Sequence, residues 1–278
     1  MYDALYHAAS ATLNELAKDA KYLGANIGYI CILHTWGSAM NYHPHIHTIV
    51  LGGGLDDENK WKETGGKFFL PYGVISKVFR GKYLDELKSL WNDSKLKFHG
   101  TAEKYQNSYR FKELLDKCYE KNWVTYCKET FNGAQSVISY LGKYTHRIAI
   151  SNHRIKSMTD TTVTYVVKDY KNEGCWKEKT ISGEEFIRRF MMHVPPKRFV
   201  RIRHYGLLSC RNKRKKITHC RNLLGCKKYI STLKNLNAVE MIRVLYHIDV
   251  CKCSSCGGNM VSPRKDKYSS SFRAHMRC

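Results

Sequence analysis

His43-Pro44-His45-Ile46-His47, continued by Thr48-Ile-Val-Leu51 and the triplet Gly52-Gly53-Gly54, is the stretch on which the reading of this chain turns. Successive strand residues point to opposite faces, so His45 and His47 share one face while Ile46 takes the other, toward the core. Upstream, Ile27-Gly-Tyr-Ile-Cys-Ile-Leu-His34-Thr-Trp36 reads as a buried strand. Residues 37–44 connect the two runs, and the glycines close the second, so the pair reads as an antiparallel hairpin. Cross-strand neighbours in such a hairpin lie roughly 5 Å apart at Cβ, which brings His34 within reach as a third ligand. Three imidazoles can hold a divalent ion and leave positions open for a phosphate oxygen. The plainer reading is a core strand that carries histidine by chance. His34, His43, His45 and His47 all fall within residues 34–47, which favours the metal site. His43, in the turn before Pro44, is the poorer candidate. Spacing does not separate zinc, manganese and magnesium.

Outward from the hairpin, residues 2–23 read as an amphipathic helix, with Leu5, Ala8, Ala9, Thr12, Leu13 and Leu16 at helical spacing. Residues 56–65 read as a polar loop and 67–71 as a short strand. Residues 73–91 and 105–121 read as helices, 123–127 as a short strand, and 133–146 as a further helix. Residues 147–169 look β-rich, with a hairpin from Thr161 to Ile181. A helix from Glu184 to Met192 follows, with Ser182 as its N-cap. Another helical stretch spans 233–247. These elements predict an α+β fold with an antiparallel strand pair and a basic helical C-terminal region.

Tyr140 and Tyr144 lie four residues apart on the helix at 133–146 and share its face. Such spacing serves packing more often than chemistry. Here Gly142 permits close approach, and Lys143, His146 and Arg147 supply cations able to meet a phosphate. A phenol, with pKa near 10, needs that setting to ionise. Its oxygen can attack phosphorus, displace a sugar hydroxyl and leave a covalent phosphotyrosine; a second tyrosine permits a second cleavage before the first link is resolved.

Composition supplies the substrate class. The chain has 278 residues with 47 Lys and Arg against 24 acids, a formal net charge of +23, and 43% hydrophobic residues. The last figure excludes a disordered chain. The charge points to a polyanion: nucleic acid first, an anionic membrane surface second. No apolar run approaches the roughly 18 residues of a membrane span, and the N-terminus lacks a signal pattern, so the expected location is the cytoplasm. Residues 195–230 hold 12 Lys or Arg and no acid, including Arg201, Arg203, Arg211, Lys213, Arg214, Lys215 and Lys216. That excess favours contact with a phosphate backbone, which gives affinity and salt dependence rather than base reading. Trp36 and Tyr205 are aromatics on which bases could stack, although core packing is the commoner role. Taken together, the histidines, the tyrosines and the charge describe an enzyme that breaks and rejoins DNA.

Eleven cysteines are present. Most are scattered and read as reduced thiols. Cys253-Ser-Ser-Cys256 has zinc-knuckle spacing, with His275 and Cys278, or Cys251, as partners for a structural zinc. The rival reading is a flexible reduced tail. The composition shift at His193-Val-Pro-Pro196 suggests three regions: a catalytic domain at 1–194, a basic DNA-binding extension at 195–250, and a cysteine-containing tail at 251–278.

The chain resembles the IS91-type (ISCR-like) Y2 transposases of the HUH endonuclease superfamily. The resemblance is carried by Leu33-His-Thr-Trp-Gly37, His43-Pro-His-Ile-His47 with Gly52-Gly-Gly54, Tyr140-Leu-Gly-Lys-Tyr-Thr-His-Arg147, Ser151-Asn-His-Arg154 and Phe199-Val-Arg-Ile-Arg-His-Tyr-Gly206. It extends from Tyr2 to about Gly225. It implies an antiparallel sheet flanked by helices in a Rep-like, ferredoxin-type core, His45 and His47 on magnesium or manganese, and Tyr140 and Tyr144 as nucleophiles on single-stranded DNA at transposon ends and target. It further implies a 5′-phosphotyrosine with a free 3′-hydroxyl, and rolling-circle transposition in a bacterial cell at the nucleoid. His34 as third ligand comes from the hairpin, not from the resemblance. Family members carry a cysteine-rich zinc-binding region before the catalytic part, and this chain starts a short way before that part, which suggests a truncated copy. Alternatives are an inactive DNA-binding remnant and a relaxase or replication initiator of the same superfamily. A zinc hydrolase built on the histidines alone leaves the tyrosine pair and the basic stretch without purpose.

Overall fold

The computed structural model describes residues 1–260, apart from 66–69, 128–133, 146–148, 170–171, 212, 227–232 and 234; for 134–135 and 143–145 it describes the backbone alone. The chain divides into two compact units, Met1–Leu223 and Leu224–Cys278.

The first unit is built on a four-stranded sheet. β1 (Asn26–Trp36) and β2 (Tyr42–Leu55) form its central pair, with β3 (Trp61–Glu63) outside β2 and β7 (Ile202–Gly206) outside β1, in the order β3-β2-β1-β7. All pairings are antiparallel. Residue alternation along β1 sorts its two faces. Ile27, Tyr29, Cys31 and Leu33 are buried in one core with Leu5, Tyr6, Leu13, Leu16 and Ala17 of helix α1 (Tyr2–Lys18). Helix α2 (Tyr72–Asn92) adds Val74, Ile75, Val78, Phe79 and Tyr83 to the same core. α1 is apolar along one side, which is why it lies flat on the sheet. Ile46 of β2 packs into this core, as the alternation requires. His45 and His47 therefore face the opposite side.

That opposite face meets helix α4 (Ala134–Thr145), which packs on β1. Between α2 and α4 come a 3₁₀ turn at Gly100–Gln106 and helix α3 (Ser108–Glu120). A second, three-stranded antiparallel sheet follows, β4 (Ile155–Met158), β5 (Thr162–Asp169) and β6 (Cys175–Ser182), and leads into α5 (Gly183–Met191). Ser182 caps α5 as predicted, its hydroxyl accepting from the Glu185 N–H. Met40, Ala149, Tyr165 and Val167 form a separate small core there, joined by Trp36, Ala39, Ile150, Ile181, Phe186 and Phe190. After β7, α6 (Lys213–Leu223) buries Cys220 against Leu55 and Leu207.

Several local expectations change. α1 stops at Lys18, not 23, and a turn runs to Gly24 at φ +63°. β2 begins at Tyr42, so Pro44 lies inside a strand; it is tolerated because β3 pairs only with Gly53–Leu55 and leaves that part of β2 as an edge. The glycine triplet lies within β2 too, not beyond it. A Cβ on Gly53 would come within 2.5 Å of the Lys62 carbonyl, and one on Gly54 within 2.5 Å of the Asn26 carbonyl. The glycines admit a neighbouring backbone at each side. The polar run 56–65 contains β3. Residues 123–127 form no strand, and the strand expected at 67–71 falls largely outside the described residues. β7 pairs with β1 after the compositional shift at 193–196, so residues 202–206 belong to the same sheet as the histidines.

The second unit, within its described residues, holds α7 (Ala238–Tyr246), shorter than the helical stretch read at 233–247. Asn237 and Glu240 form a reciprocal capping box, and His247 ends the helix in the left-handed conformation at φ +56°. A tight cysteine turn follows. The Cys253 N–H donates to the Gly258 carbonyl, and the Gly257 N–H to the Cys253 carbonyl, both at 2.9 Å.

Candidate active site

The site is set by strand register. His34 on β1 pairs directly with His45 on β2, and Ile32 with His47, so all three imidazoles stand on the face that meets α4. Each offers one nitrogen to a group whose ligand atoms lie within 4.8 Å of one another, and among the described residues this is the one such cluster. The rings pack edge to face: His34 lies 4.4 Å from His47 and 5.6 Å from His45 between centroids.

Hydrogen bonding fixes the inward nitrogen of His45. His45 Nδ1 is 2.7 Å from the His43 carbonyl, an acceptor only, so Nδ1 carries the hydrogen and Nε2 carries the lone pair. That Nε2 is 3.1 Å from His47 Nε2. Three imidazoles whose ring nitrogens converge are a donor set that suits a divalent transition ion, and a carbonyl bond to the far ring nitrogen, as His43 makes to His45, is the usual device for orienting a ligating histidine. Electrostatics agree. Burial, then the nearby His34 and His45 rings, pushes His47 down to about 3, and burial pushes His45 down. Neutral imidazoles are the ligating form.

The fourth group is Tyr140. Its hydroxyl lies 3.0 Å from His47 Nδ1, across 93 residues of chain, with ring centroids 6.3 Å apart. α4 thus carries the first tyrosine onto the histidine face. Tyr144 sits one turn further along α4, its backbone helical. The Tyr144 and Lys143 side chains, together with all of His146 and Arg147, lie outside what the structure describes.

The remaining sequence candidates separate. The Arg201 guanidinium lies 5.9 Å from the centre of Trp36, and Trp36 stacks on His34 at 4.4 Å and 19°. Arg201 is therefore beside the site. Arg203 is not: it lies 3.9 Å over the Tyr6 ring and pairs with Asp3 at 2.5 Å, on the α1 side. Arg211, Lys213, Arg214 and Lys215 are exposed, and Lys216 is half-buried on α6. Tyr205 stacks on Tyr29 at 5.2 Å in the main core. In the second unit, N–H groups of Cys256 and Ser255 hold the half-buried Cys253 thiol below its usual range. Its proposed partners His275 and Cys278 lie outside the described residues.

Sequence reading missed three groups around the site: Arg154, Arg189 and His193. Arg154 stands in a quoted motif without a role, and nothing in local spacing marks the other two.

Comparison with known proteins accords with this arrangement. A family model described as "Putative transposase" (Y2_Tnp) matches residues 28–216, which include His34, His45, His47 and both tyrosines of α4. "Putative transposase y4qJ" of Sinorhizobium fredii (strain NBRC 101917 / NGR234) is 40% identical over 226 residues, 81% of this chain and 57% of that protein. "Transposase for insertion sequence element IS801" of Pseudomonas savastanoi pv. phaseolicola is 27% identical over 264 residues, 94% of this chain and 62% of that protein. The chain thus spans about three fifths of the length of these curated relatives. No solved structure matches. With a tyrosine hydroxyl set against a three-histidine cluster and a family match over most of its length, the chain belongs to the IS91-type Y2 transposases.

Proposed function

We propose that the chain cleaves and rejoins single-stranded DNA through a tyrosine–DNA intermediate, as an HUH-type transposase. The observation that carries this reading is the 3.0 Å approach of the Tyr140 hydroxyl to His47 Nδ1, with the His34, His45 and His47 ligand atoms within 4.8 Å of one another. Tyr140 Oη attacks the phosphorus of the scissile link. The new bond is P–Oη; the bond to the sugar 3′ oxygen breaks, the phenol proton passes to solvent, and the 3′ oxygen takes up a proton from solvent. Attack by a 3′-hydroxyl reverses the sequence and rejoins the strand. His34, His45 and His47 would hold a divalent ion, magnesium or manganese, which would supply Lewis-acid polarisation of a phosphate oxygen. With His47 Nε2 given to such an ion, its neutral ring would bear its hydrogen on Nδ1. It then donates to Tyr140 Oη and stabilises negative charge there as the proton leaves. Arg201, beside Trp36, meets the strand backbone, and Trp36 offers a face on which a neighbouring base can stack. Tyr144, one turn along, serves as the second nucleophile.

The test is incubation of the folded protein with manganese and a 3′-labelled single-stranded oligonucleotide from an element end. Label that stays on the protein through a denaturing gel, and is lost with a chelator, supports the proposal. Tight salt-dependent binding with no adduct identifies a DNA-binding remnant instead. Adducts formed equally on a plasmid origin favour an initiator or relaxase.

A further inference from the structure

The turn that joins the two histidine-bearing strands is gripped from outside the sheet. It spans residues 37–41, and its buried Met40 adopts φ +54°, a conformation that a non-glycine residue holds only when its surroundings impose it. The surroundings here are specific. Arg154 donates to the Ser38 carbonyl at 2.5 Å while also bonding the Val166 carbonyl of β5. The Arg189 guanidinium of α5 and the Tyr165 hydroxyl of β5 both donate to the Ala39 carbonyl, at 3.2 and 3.3 Å. The Lys168 N–H donates to the Ser38 hydroxyl at 2.6 Å. His193, only 3% exposed, lies 3.1 Å from the Met40 carbonyl through Nε2 and 3.1 Å from the Thr35 hydroxyl through Nδ1. A carbonyl only accepts, so Nε2 carries the hydrogen and Nδ1 accepts from Thr35. Three consecutive carbonyls of one turn are thus taken by side chains of the 3₁₀ turn before β4 (Asn152–Arg154), β5, α5 and the residues just after it.

This grip reaches the site by two routes. Thr35 and Trp36 immediately follow His34, and the Trp36 ring that stacks on His34 meets His193 edge-on at 6.1 Å. The same small core contains Trp36, Ala39 and Met40 from the hairpin and Ala149 and Ile150 from the segment that follows α4. One packed cluster therefore anchors the hairpin that carries the histidines and the chain leaving the helix that carries Tyr140.

We infer that Arg154, Arg189 and His193 are positioning residues, which hold the 37–41 turn so that the three histidines keep a metal-binding geometry at a fixed distance from Tyr140. The inference rests on the proposed metal-assisted tyrosine chemistry, but it can be tested without it. His193→Ala removes both bonds to the hairpin, whereas His193→Gln keeps an N–H for Met40 and an oxygen for Thr35. Cobalt(II) titration followed by visible absorption reads affinity and ligand geometry directly, and adduct formation with manganese reads the chemistry. The expected result for His193→Ala is cobalt binding weaker by about 10- to 100-fold, an altered ligand-field spectrum, and slower adduct formation, with most of each recovered in His193→Gln. A folded His193→Ala protein with wild-type cobalt affinity, spectrum and adduct rate overturns the inference. If His193→Ala does not fold, Arg189→Met, which removes one bond to Ala39, takes its place; wild-type cobalt binding there also overturns it. Absence of any adduct from the wild-type protein counts against the proposed function, while a cobalt spectrum that changes on these substitutions still supports the positioning role.

Discussion

His47 uses both ring nitrogens, and this makes its neighbourhood chemically informative. Nε2 faces His45 and Nδ1 faces the Tyr140 hydroxyl. A tyrosine packed for stability alone has no need to end on a histidine of a cluster able to hold a metal. Replacing Tyr140 by Phe removes one oxygen and little volume, so the fold and DNA affinity should persist. Adduct formation should fall by on the order of 10⁴-fold or more, as for other nucleophile deletions, in a quenched time course under single-turnover conditions. A Tyr140→Phe protein that still forms the adduct at near the normal rate assigns the first attack to Tyr144. The histidines also set an acid limit. Unfolded imidazoles titrate near 6.5, whereas burial and its neighbours hold folded His47 at about 3. Between those values the unfolded chain binds a proton that the folded chain refuses, so stability is lost as pH falls through 6.5 and keeps falling toward the folded value. The metal-free protein should therefore show a lower denaturant midpoint at pH 5.5 than at pH 7.5. The slope contributed by His47 should be at most about 1.4 kcal/mol per pH unit. A midpoint that is level or higher at pH 5.5 contradicts this.

Among the elements, legibility followed sequence distance. β1, β2 and the sharing of one face by His34, His45 and His47 were readable because period-2 alternation and a short connection fix register locally. Tyr140 was readable as a candidate because cations surround it in sequence, although its distance from His47 is a tertiary fact. β3 was hidden by its polar residues, which sit on a three-residue edge strand with little to bury. The grip on the 37–41 turn was hidden because its partners lie more than 110 residues away, as with Arg154 and Ser38 at a separation of 116. β7 was hidden in a run read for its charge, and its pairing with β1 depends on its last residue. Gly206 has φ +58°, and a Cβ there would come within 1.9 Å of the Ile27 carbonyl. Gly206→Ala must move one strand or the other. It should cost about 1–3 kcal/mol, read as a lower denaturant midpoint with an unchanged slope. Substitution without loss would mean that β7 does not close on β1 as described.

Across the whole molecule, a net charge of +23 favours a polyanionic partner but does not say which cations would touch it. The fold divides them. Arg203 is committed internally, over Tyr6 and against Asp3, so its removal should cost stability and leave DNA binding with its normal salt dependence. Lys213, Arg214 and Lys215 project from α6, whose only buried residue is Cys220, and hold no comparable internal post. Cations that neutralise phosphates release counterions, and on a single strand each contact contributes a slope of roughly 0.7 in log affinity against log salt. Replacing Lys213, Arg214 and Lys215 together by Ala should thus lower that slope by about 2 in fluorescence-anisotropy titrations of a labelled single strand between low and physiological salt. Arg203→Ala should leave the slope within error and lower the unfolding midpoint instead. Losing slope equally at Arg203 and on α6 would mean that charge counting in the sequence, rather than the use the fold makes of each cation, sets the DNA interface.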